Sequence, residues 1–359
     1  MKKILVIVGT RPNFIKVTQF KRVAEQNKYD LRIVHTGQHF DDKMADVFFK
    51  QFKLTPDYFL NIPQNLNREQ LIEAITKAIE NLINTTFKPD LVAVVGDVNS
   101  TLAGAYAAKN CGLKLTHVES GLRSYDNTMP EEINRILTDE ISDYFFVTEQ
   151  SGFDNLINAG HTKNNVFFVG NTMIDTMVTF DKEIENSNVL ANLKMDKQQY
   201  VLMTMHRPAT VDNMEGLLKL LDILKEVNNK YKIVFPVHPR TTKNIEALGL
   251  KKDFESLSGL MFTEPLDYFS FQKLIKYSKF ILTDSGGIQE ESTFLKVPCL
   301  TLRPNTERPV TCTLGTNTLV PFDVKSILDY VSQIETGSYK KGQVPPLWDG
   351  KAFSKVLME

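Results

Sequence analysis

The chain of 359 residues has three cysteines and one tryptophan. Cys111, Cys299 and Cys312 are odd in number, widely spaced and form no C-x-x-C pair. That pattern argues against a disulfide framework and against a structural zinc site. Long apolar runs are also missing. The stretch at 4–8 stops at Gly9-Thr10-Arg11-Pro12, too short for the core of a signal peptide. No run approaches the ~18–20 apolar residues of a membrane span. The expected location is the cytoplasm, with no membrane partner. Neither sign of charge is in excess: Lys and Arg total 42, Asp and Glu 43, a net of −1. A sequence-independent nucleic-acid binder normally carries a basic excess, so no nucleic-acid partner is expected. The segment after the first apolar run lacks both the G-x-G-x-x-G and the G-x-x-x-x-G-K-S/T phosphate loops.

What is present is enough apolar material for two cores. Hydrophobic residues make up 42% and charged residues 24%, the balance of a soluble globular chain. At roughly 100–200 residues per domain, two domains are expected. Short β-branched runs at 4–8, 31–36, 91–95, 113–118, 144–147 and 166–169 alternate with helical spacing, as at 69–82. The alternation then starts again, with strands at 200–205, 232–237, 260–262, 279–283 and 299–302 and helices at 214–227 and 268–276. Continuous apolar strands separated by helices imply parallel sheets covered on both faces. The expectation is an α/β chain of two Rossmann-like domains facing a cleft. They span residues 1–172 and 173–340, and a C-terminal helix within 341–359 returns to the first. The polar segment 181–197 reads as a hinge region.

Ligands of open α/β sheets sit at the carboxyl ends of the strands. Arg11 and Lys16 follow the first strand and bring two cations there. Asp97, after the run 91–95, serves either as a helix cap or as an acid facing the cleft. His117 and Glu119 share one face if the strand continues through them. Glu131 opens a helix after Pro130 and stands four residues from Arg135, a spacing that allows an ion pair. In the second half, His206 and His238 end strands. Thr283-Asp284-Ser285-Gly286-Gly287 leads into a helix start, where backbone N–H groups favour an anion. Glu291 lies one turn further on and can accept from ribose hydroxyls. Arg308 adds a cation after the next strand. Arg11, Lys16, His206, Arg308 and residues 285–287 together favour a diphosphate. Asp97, Glu119 and Glu131 oppose them as acid/base groups. That combination suits a nucleotide sugar whose sugar is being altered.

At this point the sequence resembles the non-hydrolysing UDP-N-acetylglucosamine 2-epimerases along nearly its whole length. The motifs run in order: GTRP at 9–12 with Lys16, GQH at 37–39, GDVNST at 96–101, HVESGLRS at 117–124 and MPEEINR at 129–135. They continue with GNTMID at 170–175, HRP at 206–208, PVHPR at 236–240, DSGGIQEE at 284–291 and NTERP at 305–309. One such match would be weak; ten in order are specific. The resemblance implies a glycosyltransferase B-type fold, a UDP-sugar substrate, no redox cofactor, no metal and a homodimer. It implies that Arg11, Lys16, Ser285, Gly286, Gly287, Glu291 and Arg308 bind UDP, with Phe271 near the uracil. It gives Asp97, Glu119, Glu131 and His206 as catalytic. Elimination of UDP would leave a bound 2-acetamidoglucal, and re-addition after proton return to the other face would invert C2.

The sequence departs from the family in two places. Asn13 stands where many members have Glu. The segments around Gln38–Met44 and His206–Thr210 lack groups that hold a second nucleotide sugar in regulated members: Asp41 is present, and Pro208-Ala209 replace Arg and Glu. Activity without UDP-GlcNAc as effector is therefore expected. A modified substrate of the UDP-2,3-diacetamido-glucuronate type, a hydrolysing epimerase, a glycosyltransferase and a non-catalytic UDP-sugar binder are the alternatives.

Overall fold

The structure, a computed structural model, describes residues 1–38, 48–237 and 239–358. The chain divides into two compact units, Met1–Thr179 with Pro346–Glu359, and Phe180–Pro345. In the first, seven strands form one parallel sheet: β1 (Lys3–Val8), β2 (Asp30–His35), β3 (Tyr58–Phe59), β4 (Leu91–Val95), β5 (Lys114–Val118), β6 (Tyr144–Val147) and β7 (Val166–Phe168). Their order is 3-2-1-4-5-6-7. In the second, β8 (Tyr200–Thr204), β9 (Lys232–Pro236), β10 (Leu260–Thr263), β11 (Phe280–Thr283), β12 (Cys299–Thr301) and β13 (Asn317–Leu319) run in the order 10-9-8-11-12-13. Counted within its own unit, the second is the Rossmann order 3-2-1-4-5-6, and the first is that order with a seventh strand added at one edge.

That order reverses direction between β1 and β4, and again between β8 and β11. At such a switch point neighbouring connections leave toward opposite faces and open a crevice at the carboxyl ends. The loops after β1, β4, β8 and β11 are therefore where each unit can receive a ligand.

The strands are buried because both faces are covered. In the first unit Leu5, Ile7, Val92 and Val94 pack against Ile75, Ile79, Leu102 and Ala105 of the helices Arg68–Thr85 and Asn99–Asn110. The second helix is rich in small residues, and its Gly104 sits where a Cβ would fall 2.6 Å from the Ile7 side chain. Asn67 and Gln70 cap the helix Arg68–Thr85 reciprocally. In the second unit Val201, Met203, Ile233, Phe235 and Leu282 bury against Leu217, Leu220, Leu221 and Leu224 of the helix Met214–Asn228.

Two expectations are corrected. Residues 181–197, read as a hinge region from their polarity, are not an irregular polar linker. They fold as the short helices Asp181–Asn186 and Val189–Asn192, and bury Ile184, Val189 and Met195 within the second unit. Their few apolar residues are spaced to reach the helix Tyr268–Tyr277, and charge density hid that. The strands β3 and β13 were also not expected, since each has only two or three residues. The terminal helix Ala352–Met358 packs in the first unit: Phe353 meets Phe20 edge to face, and its backbone N–H donates to Asp175 at 2.7 Å. Among the described residues, no helix is long and apolar enough to cross a membrane.

Candidate active site

In the first unit β1 ends in a turn built by Asn13. Its Oδ1 accepts from the Gly9 N–H at 3.3 Å and from the Thr10 hydroxyl at 3.1 Å, and its Nδ2 donates to the Val95 carbonyl at 3.0 Å. This one amide ties the end of β1 to the end of β4. An ionised glutamate offers no donor for the Val95 carbonyl. The helix Arg11–Ile15 then carries Lys16 inward. Lys16 Nζ lies 2.7 Å from Glu119 Oε1, with side chains 5% and 2% exposed. Gly96 sits among these groups: a Cβ there would be 3.2 Å from Asn13 Nδ2, 3.4 Å from Lys16 Nζ and 3.9 Å from Glu119 Oε1.

Glu119 does not continue β5. The strand stops at Val118, and Glu119 has φ +67°, a left-handed conformation uncommon outside glycine. Its N–H and that of Ser120 both donate to the Phe146 carbonyl, at 2.9 and 3.2 Å. Gly121 follows at φ +78°, and a Cβ there would fall 2.2 Å from the Gly152 carbonyl oxygen. His117 and Glu119 are thus not a same-face pair. His117 is fully buried, with Nδ1 2.7 Å from Asp139 Oδ1 and Nε2 2.7 Å from the Gly96 carbonyl. Asp139 also accepts from the Gly121 N–H and meets Arg123 at 2.7 Å. Burial acts to raise the Asp139 carboxyl, but His117 and Arg123 outweigh it and hold it below the ordinary range.

Asp97 does not cap the following helix, whose N-cap is Val98. It forms an ion pair with Arg135, which also holds Glu132 at 2.5 Å. The expected Glu131–Arg135 pair is replaced by this arrangement. Glu132 is the buried member of the pair of glutamates. It accepts from the Ser124 N–H at 2.9 Å and the Tyr125 N–H at 3.0 Å, and those bonds with Arg135 hold its carboxyl low against burial. Glu131 stands exposed in the first helical turn. Arg11 stacks over the Phe48 ring, 4.3 Å from its centroid. Gln38 is engaged too: its Oε1 accepts from the Ser100 N–H at 2.9 Å and the Ser100 hydroxyl at 2.7 Å. Residues 39–47, with Asp41, lie outside the described residues, as does His238.

In the second unit His206 follows β8 and meets Asp284 at the end of β11, Nδ1 to Oδ1 at 2.7 Å. The His206 side chain is 57% exposed while Asp284 is buried. A carboxylate fixes the imidazole tautomer and aims the other nitrogen outward. Asp284 also accepts from the His206 and Arg207 N–H groups, at 3.0 and 2.8 Å. Burial acts to raise its carboxyl, but His206 and these donors hold it low. Ser285 takes the N-cap position of the helix Gly286–Leu295, yet its hydroxyl makes no cap bond.

Glu291, fully inside, accepts from Gln272 Nε2 at 2.5 Å. Burial pushes its carboxyl up to about 8; the Gln272 bond opposes this and the nearby Glu290 charge adds to it. Phe271, half-buried on the same helix as Gln272, packs on the second core. Arg308 is buried against Glu307 and lies 2.8 Å from Glu290.

The arrangement thus brings Lys16 to Glu119, Asp97 to Arg135 and His206 to Asp284. Sequence reasoning missed Glu132 and Asp284 as partners and paired Arg135 with Glu131 instead. The i, i+3 spacing of Glu132 and Arg135 was a usable signal. The 78-residue separation of His206 and Asp284 offered none beyond their shared place at strand ends.

A family model described as UDP-N-acetylglucosamine 2-epimerase matches residues 21–358. The UDP-N-acetylglucosamine 2-epimerase of Methanocaldococcus jannaschii is 39% identical over 99% of this chain and 98% of its own. A crystal structure of the Methanocaldococcus jannaschii UDP-GlcNAc 2-epimerase, in complex with UDP-GlcNAc and UDP, matches with a TM-score of 0.90. It is 38% identical and covers 99% of this chain and 98% of that one. The UDP-2,3-diacetamido-2,3-dideoxy-D-glucuronate 2-epimerase of Pseudomonas aeruginosa is 39% identical over 89% of this chain and 88% of its own. The fold is therefore that of the two-Rossmann α/β proteins of glycosyltransferase B type. Within that class the chain belongs to the UDP-N-acetylglucosamine 2-epimerase family.

Proposed function

We propose that the chain interconverts UDP-GlcNAc and UDP-ManNAc without hydrolysis, with the product destined for polysaccharide biosynthesis. The observation that carries this reading is the buried Lys16–Glu119 pair, with Asp97 at the neighbouring strand end, in a chain of this family. The C2 proton of the sugar is not acidic on its own. It leaves as the C1–O bond to UDP breaks, giving a 2-acetamidoglucal. Return of a proton to the opposite face, with re-addition of UDP at C1, inverts C2. Such a reaction needs acid/base groups on both faces and stabilisation of the departing diphosphate. Glu119, Asp97 and Glu131 are assigned to proton removal and return. Lys16 is assigned to hold the Glu119 carboxylate as its ion-pair partner, rather than to bind UDP directly. His206, its tautomer set by Asp284, and the turn at 285–287 with Arg308 are assigned to UDP. Glu291, with Phe271 beside Gln272, is assigned to the nucleoside.

Incubation with UDP-GlcNAc alone tests the reading. UDP-ManNAc supports it, and UDP with free ManNAc means a hydrolase. No turnover without an acceptor sugar means a transferase or a binder. A second substrate, the UDP-2,3-diacetamido-glucuronate sugar, is favoured by one observation. The Pseudomonas aeruginosa relative and the Methanocaldococcus jannaschii UDP-N-acetylglucosamine 2-epimerase are both 39% identical to this chain. Comparison of kcat/KM for the two sugars decides between them. A homodimer remains part of the proposal. The helix Pro130–Ile141 leaves Ile133 and Ile136 exposed in the first unit, and Ile136→Lys should yield a monomer in light scattering.

A further inference from the structure

Glu290, Arg303, Glu307 and Arg308 form a buried ionic cluster beyond the ends of β11 and β12, none more than 6% exposed. Glu307 is the bridge. Its Oε2 accepts from Arg303 Nη2 at 3.0 Å, and its Oε1 accepts from Arg308 Nη1. Arg308 Nε lies 2.8 Å from Glu290 Oε2. Two cations and two anions cancel, so this corner is not the bare cationic clamp that Arg308 suggests in sequence.

The pair also lies against the turn that would receive an anion. A Cβ on Gly286 would fall 2.5 Å from Glu307 Oε1 and 3.0 Å from Arg308 Nη1. A diphosphate settling on the first N–H groups of the helix Gly286–Leu295 therefore meets a carboxylate beside the guanidinium it needs. The carboxylate must have somewhere to go.

Arg303 offers that place. Its side chain is 1% exposed, and its Nε and Nη1 are buried with no hydrogen-bond partner among the described residues. A guanidinium carries five N–H donors in a rigid fork, and here only Nη2 is engaged. Unsatisfied buried donors are costly, and a native structure that keeps them needs a reason. Glu307 Oε2 already sits on Nη2. If Oε1 leaves Arg308, it can complete a bidentate pair on Nη2 and its neighbour, the strongest carboxylate–guanidinium geometry.

We propose that Arg303 is a positioning residue for diphosphate binding, taking up the Glu307 carboxylate as the diphosphate takes Arg308. No bond forms or breaks covalently; one ion pair is exchanged for another. The inference rests on the reading that the second unit binds a nucleoside diphosphate at residues 285–287.

Calorimetric titration of the full chain with UDP and with uridine tests it. Arg303→Lys keeps the charge and removes the fork. UDP affinity should fall about tenfold, the order of one charge-assisted hydrogen bond, with uridine affinity unchanged. Glu307→Gln removes the competing carboxylate and should tighten UDP severalfold. The double variant Arg303→Lys/Glu307→Gln should regain wild-type UDP affinity. Equal weakening of UDP and uridine, or no rescue in the double variant, would overturn the proposal. Should Arg303→Lys fail to fold, Glu307→Gln decides alone, and unchanged or weaker UDP binding refutes it. Wild-type chain that binds uridine but gains nothing from the diphosphate would instead defeat the underlying reading.

Discussion

Replacing Lys16 by methionine separates two roles for that residue. As a UDP ligand, Lys16 should matter to affinity. As the counter-charge of Glu119, it should matter to stability and turnover. The pair is 2.7 Å apart, with side chains 5% and 2% exposed. At an effective dielectric constant of about 20 the attraction is about 6 kcal/mol, most of it offset by desolvation of both groups. Removing one partner of a buried ion pair costs about 3–5 kcal/mol. Methionine keeps the apolar stem, so this loss is chiefly electrostatic. In urea unfolding at pH 8 the variant should be less stable by that amount. Adding Glu119→Gln should recover most of the stability, with a coupling of about 2–3 kcal/mol, the upper part of the range for residues in contact. Turnover should drop by roughly 10² or more in the single variant, while UDP affinity stays within about threefold. A variant that loses less than about 1 kcal/mol but binds UDP tenfold more weakly would refute this account and return Lys16 to the diphosphate.

Asp97→Asn, Glu119→Gln and Glu131→Gln should each lower turnover by roughly 10² or more with little change in calorimetric UDP affinity; a member that keeps near-normal turnover is structural. Glu291 sets a pH dependence of stability. Its folded carboxyl is raised to about 8 from 4.5, so its contribution is full below 4.5, declines as pH rises and is gone above about 8. Glu291→Gln should lose less thermal stability than wild type between pH 5 and 8.5, and equal slopes would contradict the assignment. Highly purified UDP-ManNAc should be consumed without added UDP-GlcNAc, since Gln38 is committed to Ser100 and Pro208 offers no N–H. A lag abolished by trace UDP-GlcNAc would show that an effector site survives.

Much of the scaffold was legible because parallel strands buried on both faces read as continuous apolar runs. β1, β4 and β6 are visible as Leu- and Val-rich or aromatic stretches bounded by turn residues. β3 is two residues at a sheet edge, and β13 is three polar-to-apolar residues, so neither carries a period to detect. The site was legible as positions but not as pairings. The reading placed Lys16, Asp97, Glu119, His206 and Arg308 at strand ends, where the topology indeed puts them. It treated Arg11, Lys16, His206 and Arg308 as available to a diphosphate. Lys16 faces a carboxylate 103 residues away, and Arg308 faces two, because long-range folding decides which charges meet. The same limit misassigned Arg135 to Glu131. One helical residue of difference puts Glu132, not Glu131, on the buried face.

The central claim is that C2 exchanges its proton while UDP departs and returns. It is tested most directly by running UDP-GlcNAc with the purified chain in deuterated water and examining the product by mass and proton spectra. The account predicts UDP-ManNAc with one deuterium at C2 and no requirement for added nicotinamide. Product that retains the original C2 hydrogen in full would contradict it.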